Sequence, residues 1–149
     1  MQKIAKQIAT LGGVGYFPAA PGTIASIIAV GIYLLIGKNS LLYFSIMPIA
    51  LAIGFWASQA SIKEFEVKDP PQVVIDEFSA MLLVYAFIPF KPAFIVAGFV
   101  LFRIFDIFKM PLIKKLEALP GGSGIMMDDI AAAVLTNLIL QLSRILIDL

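Results

Sequence analysis

The sequence predicts an all-α fold: a compact, multi-pass membrane helical bundle of about four to five short transmembrane or re-entrant helices. Three observations carry this. The chain is 60% hydrophobic and only 14% charged over 149 residues, whereas soluble domains hold roughly 45–50% apolar and about 25% charged residues. Its mean hydropathy is +0.98. The apolar residues also fall in uncharged runs, separated by proline, glycine and short charged connections, as in membrane helices.

Taken in order, Met1 to Thr10 lacks a continuous apolar core, so no signal peptide is expected. The first apolar run extends from about Gly22 to Ile36, after the Pro21-Gly22 turn and before Gly37-Lys38-Asn39. The second, Leu41 to Ala60, holds no charge and is the clearest spanning segment. A polar connection from Ser61 to Gln72 contains Lys63, Glu64, Glu66, Lys68 and Asp69 and ends at Pro70-Pro71. The third run goes from Val73 to Phe90, with Asp76 and Glu77 near its start. Pro89-Phe90-Lys91-Pro92 breaks it, because proline removes a helical hydrogen bond and restricts the residue before it. A fourth run leads from Ala93 to Arg103 and Asp106; Lys109 to Gly124 reads as a polar loop. Asp128-Asp129 opens a last helix to about Ile147, and the whole chain reads as one domain, residues 1–149.

Absent residue types narrow the chemistry. With no cysteine, thiolate catalysis, disulfides and cysteine-ligated metals are excluded. With no histidine, so are Ser-His triads, imidazole zinc sites and phosphohistidine. The net charge of +1 gives no basic footprint, so no nucleic-acid partner is expected. Carboxylates, Lys, Arg, hydroxyls, backbone amides and a hard metal remain.

Those groups gather at one end. If the third and fourth runs form a hairpin at Pro89–Pro92, Asp76 and Asp106 each lie about 14 residues, or roughly 21 Å, from the turn and share one depth. The starts of the first and last helices fall on that side too. Thr23, Ser26, Asp76, Glu77, Arg103, Asp106, Asp128 and Asp129 then meet at one membrane face. That face also carries Lys3, Lys6, Lys63, Lys68, Lys109, Lys114 and Lys115, against Lys38, Lys91 and Arg144 opposite, so the positive-inside bias makes it cytoplasmic.

Each acid has a plain explanation. Asp76 and Glu77 suit a helix N-terminus, Asp128-Asp129 a cap, and Arg103 with Asp106 an ion pair one turn apart. Together, carboxylates from three elements at one depth repel unless a cation lies among them. An oxygen-only set favours Mg²⁺. Gly121-Gly122-Ser123-Gly124 before a helix is a weak anion-binding signal that equally suits a flexible link. In the last helix, Asp129, Ala133, Asn137, Gln141, Arg144 and Asp148 form a small and polar stripe that favours close packing.

Four blocks, GYFPAAPGTIAS (Gly15–Ser26), IDEFSA (Ile75–Ala80), FRIFDIFK (Phe102–Lys109) and GGSGIMMDDIAAAV (Gly121–Val134), resemble the signature blocks of the phosphatidylglycerophosphatase A family, in the family's order. Ala25, Ala80 and the spacing at Lys109-Met110-Pro111 depart from that pattern, while the acids and Arg103 keep it. The resemblance implies a Mg²⁺-dependent phosphatase of the bacterial inner membrane, converting phosphatidylglycerophosphate to phosphatidylglycerol and phosphate with its site facing the cytoplasm. Its metal set would be Asp76, Glu77, Asp106, Asp128 and Asp129. Asp76, Asp106, Asp129 and Arg103 would be catalytic. Thr23, Ser26, Arg103, Lys109, Gly121, Gly122 and Gly124 would hold the substrate. Water is the preferred nucleophile, with an aspartyl-phosphate on Asp129 or Asp76 as the other route. The bilayer and a phospholipid are the expected partners, and a homo-oligomer stays open. A Mg²⁺-dependent headgroup transferase and a non-enzymatic divalent-cation-binding membrane protein are the alternatives.

Overall fold

In a computed structural model, which describes residues 2–65, 67 and 70–147, the chain is helical and the described residues contain no strand. The elements are α1 (Gln2–Ala9), a 3₁₀ segment (Leu11–Tyr16), α2 (Pro21–Ile36), α3 (Ser40–Phe65), α4 (Ile75–Val84), α5 (Pro92–Ile107), α6 (Pro111–Glu117) and α7 (Gly122–Ile147). Helices α2, α5 and α6 each begin on proline, whose fixed φ suits the first turn and whose missing N–H would be unpaired there anyway.

Helix α7 is the axis of the bundle, touching α3, α4, α5 and α6, while α4 is wedged between α2, α3 and α7. Around them Tyr33, Met81, Leu82, Tyr85, Phe102 and Leu140 form the core. Residues 40–62 and 122–146 are long and apolar enough to cross a bilayer, and only 17% of the most apolar part of the first is buried. A soluble core helix would be mostly covered. Here Leu41, Ile49, Ile53 and Trp56 face outward, as expected for contact with lipid.

The elements differ from expectation in four places. Helix α3 continues past Ala60 to Phe65 and tolerates Pro48 in its interior. Helix α6 occupies part of the expected Lys109–Gly124 loop, burying Ile113. Helix α7 starts at Gly122, ahead of Asp128. Helix α4 stops at Val84 rather than running to Phe90, and Phe87 takes a left-handed φ of 61° beyond it.

That early stop leaves carbonyls without helical partners in an apolar setting, where each must be satisfied by protein. The polar stripe of α7 does this. Asn137 Nδ2 donates to the Val84 and Ala86 carbonyls, at 2.8 Å each. Gln141 Nε2 donates to Ala86 at 3.2 Å and Arg144 to Phe87 at 3.3 Å. Of the remaining sequence expectations, Asp148, Glu66, Lys68 and Asp69 lie outside the described residues, as do the side chains of Lys63 and Glu64. Asn137→Leu strips one buried carbonyl of its donor and weakens the other's coverage. It should cost about 1–3 kcal/mol of stability, read as a lowered unfolding midpoint in detergent micelles; an unchanged midpoint would refute the capping role.

Candidate active site

Four helix ends and the connection after α5 converge at the end of the bundle where α2, α4 and α7 begin and α5 finishes. The chain enters α2 through Ala20, held left-handed (φ 49°, ψ 53°), a conformation costing a non-glycine residue about 1–2 kcal/mol. Such strain persists where surrounding structure enforces it, often beside a site. At Gly22 the α2 backbone lies directly against the Glu77 carboxylate, so any Cβ there would strike Glu77 Oε1. Asp76 and Glu77 come from the first turn of α4. That turn is fixed by the bond from the Val74 N–H to the Ala9 carbonyl, 2.9 Å. Arg103 and Asp106 come from the end of α5, Asp128 and Asp129 from α7, and Lys109 from the connection after α5. All seven groups line one cavity of about 280 Å³, together with Ala20, Pro21, Gly22, Pro70, Pro71, Val73 and Ile125.

Within it the five carboxylates divide. One oxygen from each of Asp76, Glu77 and Asp129 lies within 4.8 Å of the other two. Asp76 Oδ1, Glu77 Oε2 and Asp129 Oδ2 are buried without a hydrogen-bond donor. Asp106 instead accepts from Arg103 Nη1 at 2.6 Å, and Asp128 from Lys109 Nζ at 2.6 Å. Lys109 also pairs with Glu117 of α6 at 3.2 Å. Two carboxylates are therefore neutralised by side chains and three are not.

At an effective dielectric of about 20, unit charges 4.8 Å apart repel by on the order of 3 kcal/mol. Buried acids at this spacing, with oxygens lacking donors, fit a hard divalent cation in donor type and in charge. Arg103 adds a second feature: its Nε is buried without an acceptor, while Nη1 lies 3.5 Å from Ser26 Oγ. Burial alone would lower the Lys109 ammonium, but Asp128 and Glu117 more than reverse that and hold it above the ordinary lysine value. The stability this pair contributes is fully present below the unfolded lysine value of 10.5 and fades only as pH rises through the higher folded one.

The expected substrate-binding residues do not all reach the cavity. Arg103 and Lys109 line it; Thr23, Ser26, Gly121, Gly122 and Gly124 do not. Ser26 is fully buried, donates to the Gly22 carbonyl at 3.0 Å and meets the site through Arg103. The glycines at the start of α7 serve packing. The Gly122 N–H donates to Gln59 Oε1 at 2.8 Å and the Gly124 N–H to the Gly121 carbonyl at 3.1 Å, so neither amide is free for an anion. A Cβ at Gly122 would collide with the Gln59 backbone. The first turn of α2 borders the cavity instead. Sequence reasoning missed Glu117 and Gln59. A glutamine within an otherwise uncharged apolar run was the available signal for the second.

A family model described as phosphatidylglycerophosphatase A matches residues 7–144. The chain belongs to the phosphatidylglycerophosphatase A family. Phosphatidylglycerophosphatase A of Escherichia coli K12 is 34% identical over 127 residues, covering 83% of this chain and 74% of that protein. The Haemophilus influenzae protein of the same name is 36% identical over 128 residues, covering 82% and 77%. A candidate phosphatidylinositol-3-phosphatase of Bacteroides thetaiotaomicron is 34% identical over 146 residues, covering 92% and 91%. No solved structure matches. Membership in the phosphatidylglycerophosphatase A family makes this chain a phosphatase of lipid metabolism, and with its two bilayer-length helices a membrane protein.

Proposed function

We propose that this protein hydrolyses the terminal phosphate monoester of phosphatidylglycerophosphate with Mg²⁺ held by Asp76, Glu77 and Asp129. One observation carries the reading: three buried carboxylates with oxygens lacking donors share a cavity with Arg103 and Lys109. The names of the Escherichia coli and Haemophilus influenzae relatives support the substrate. When bound, Mg²⁺ would supply concentrated positive charge against the phosphoryl oxygens and make nearby water more acidic.

The chain's own groups do the rest. Arg103, held by Asp106 and Ser26, presents a fixed guanidinium to the phosphoryl group, whose equatorial oxygens carry charge as the ester bond breaks. Lys109 adds a second cation on the same wall. With three acids assigned to the ion and Asp128 to Lys109, Asp106 is the carboxylate left to accept a proton from the attacking water. The ester oxygen leaves as the glycerol hydroxyl, taking up the proton that Asp106 received from the water.

The site sits at one end of the bundle, which supports a surface reaction on a lipid headgroup over ion transport, whose ligands tend to lie near the midplane. The described basic residues Lys3, Lys6, Lys109, Lys114 and Lys115 belong to that end, which supports a cytoplasmic orientation in the inner membrane. Purified protein in micelles should release phosphate from phosphatidylglycerophosphate with Mg²⁺ and lose that activity in EDTA. Full turnover in EDTA would remove the metal from the proposal. Faster turnover of phosphatidylinositol 3-phosphate would move the headgroup assignment toward the Bacteroides relative's.

A further inference from the structure

Helices α2 and α5 run antiparallel, α2 beginning at the acidic end and α5 finishing there. They meet at that end, where Arg103 Nη1 approaches Ser26 Oγ at 3.5 Å and the arginine side chain is only 14% exposed. Val100 and Val96 precede Arg103 by three and seven positions, so all three share one face of α5. Yet exposure climbs along that face, to 47% at Val100 and 63% at Val96.

Helix α2 does not simply run out. It continues to Ile36, ten residues or about 15 Å beyond Ser26, whereas Val96 lies about 10 Å below Arg103. Val96 therefore falls within the length of α2, and its exposure means that the two helices splay away from the acidic end.

One residue on from Ser26, or from Arg103, turns about 100° around its helix. In antiparallel right-handed helices both turns lead to the same side of the seam. Ile27 and Ile104 thus flank one opening, and both are exposed. Gly31, one turn below Ile27, is exposed as well, and a Cβ there would meet nothing within 4 Å. The other α-helical glycines, Gly22, Gly54, Gly98, Gly122 and Gly124, each lie against a neighbour. Glycine in a helix interior weakens the helix, and no packing contact among the described residues accounts for this one.

We propose that the cleft between α2 and α5 holds an acyl chain of the lipid whose phosphate occupies the acidic cavity, so that substrate enters sideways from the bilayer. The cleft is apolar along its walls and is continuous with the cavity, because the first turn of α2 and Arg103 of α5 line both. Its apex is a guanidinium, which suits a phosphate, and its open end is apolar, which suits a hydrocarbon tail. The headgroup assignment rests on the lipid-phosphatase reading; the path of the tail does not require turnover.

The test uses a phosphonate analogue of phosphatidylglycerophosphate, which cannot be hydrolysed, with a diazirine in one acyl chain. It is photolysed with the full-length protein and Mg²⁺ in phosphatidylcholine vesicles, and labelled peptides are identified by mass spectrometry. Label should concentrate in residues 27–34 and 96–104 over residues 41–56 of α3, and excess unlabelled analogue should displace it. Even labelling of all lipid-facing helices, or displaceable label centred elsewhere, would overturn the cleft. Displaceable label here in a protein that releases no phosphate would sink the phosphatase reading and leave the cleft standing. Val100→Trp and Gly31→Leu each fill the cleft at an exposed position. Each should lower kcat/KM for dioleoyl substrate about tenfold while leaving dihexanoyl substrate nearly unchanged, and Ile49→Trp on α3 should alter neither. Equal losses on both substrates would also overturn the proposal.

Discussion

Asp129→Asn should reduce phosphate release by on the order of 10³-fold or more, as expected when a group stabilising transition-state charge is lost, without unfolding the protein. Asp129 is 4% exposed, and one of its oxygens has no donor. The substitution keeps the shape and removes one negative charge from a cluster whose members repel. In EDTA the variant should therefore be at least as stable as the parent, since the parent carries three such acids within 4.8 Å of one another. With Mg²⁺ the order should reverse. An ion at 100 times its dissociation constant stabilises a folded site by about 2.7 kcal/mol, and a variant missing a ligand forfeits most of that. Unfolding midpoints of both proteins, with and without Mg²⁺, give the four values needed. A variant that loses stability equally in both conditions would show that Asp129 is a structural acid. One that retains full turnover would remove it from the mechanism.

Much of the bundle was legible because bilayer helices announce themselves as uncharged runs, and Leu41–Ala60 lies inside α3 as read. The convergence of Asp76 with Asp106 was legible for a simpler reason: both are tied to the Pro89–Pro92 turn at similar separations. It survives although α4 ends at Val84. That ending was not legible, because no glycine or proline marks it. It is set by tertiary partners, with Asn137 and Gln141 of α7 accounting for the Val84 and Ala86 carbonyls. The stripe on α7 was visible in the sequence, but its targets lie more than fifty positions away. The division of five acids into a group of three and two ion pairs was equally hidden. It depends on Lys109 choosing Asp128 and Arg103 choosing Asp106, which only side-chain geometry decides. The glycines ahead of Asp128 show the opposite failure: a motif type associated with phosphate serves here to bring α7 against Gln59.

Arg103→Lys should lower kcat/KM by about 10²–10³-fold, close to the loss for Arg103→Gln, because geometry rather than charge is what the site uses. The guanidinium is gripped on one side by Asp106 at 2.6 Å and approaches Ser26 at 3.5 Å, and its Nε remains buried without an acceptor. A planar fork can keep those contacts and still offer further N–H groups to phosphoryl oxygens. An ammonium on a flexible stem cannot hold Asp106 and span the same positions at once. Most of the loss should fall in kcat, since the interaction strengthens as charge builds on the departing phosphoryl group. The Mg²⁺-dependent rise in unfolding midpoint should persist in Arg103→Lys, because Arg103 is not among the proposed ligands. Asp129→Asn, by contrast, loses both activity and the Mg²⁺ response. If Lys at position 103 restores activity to within a fewfold, the guanidinium acts only as a point charge. If the Mg²⁺ response vanishes with Arg103, the arginine is organising the carboxylates, and its direct contact with the phosphate is wrong.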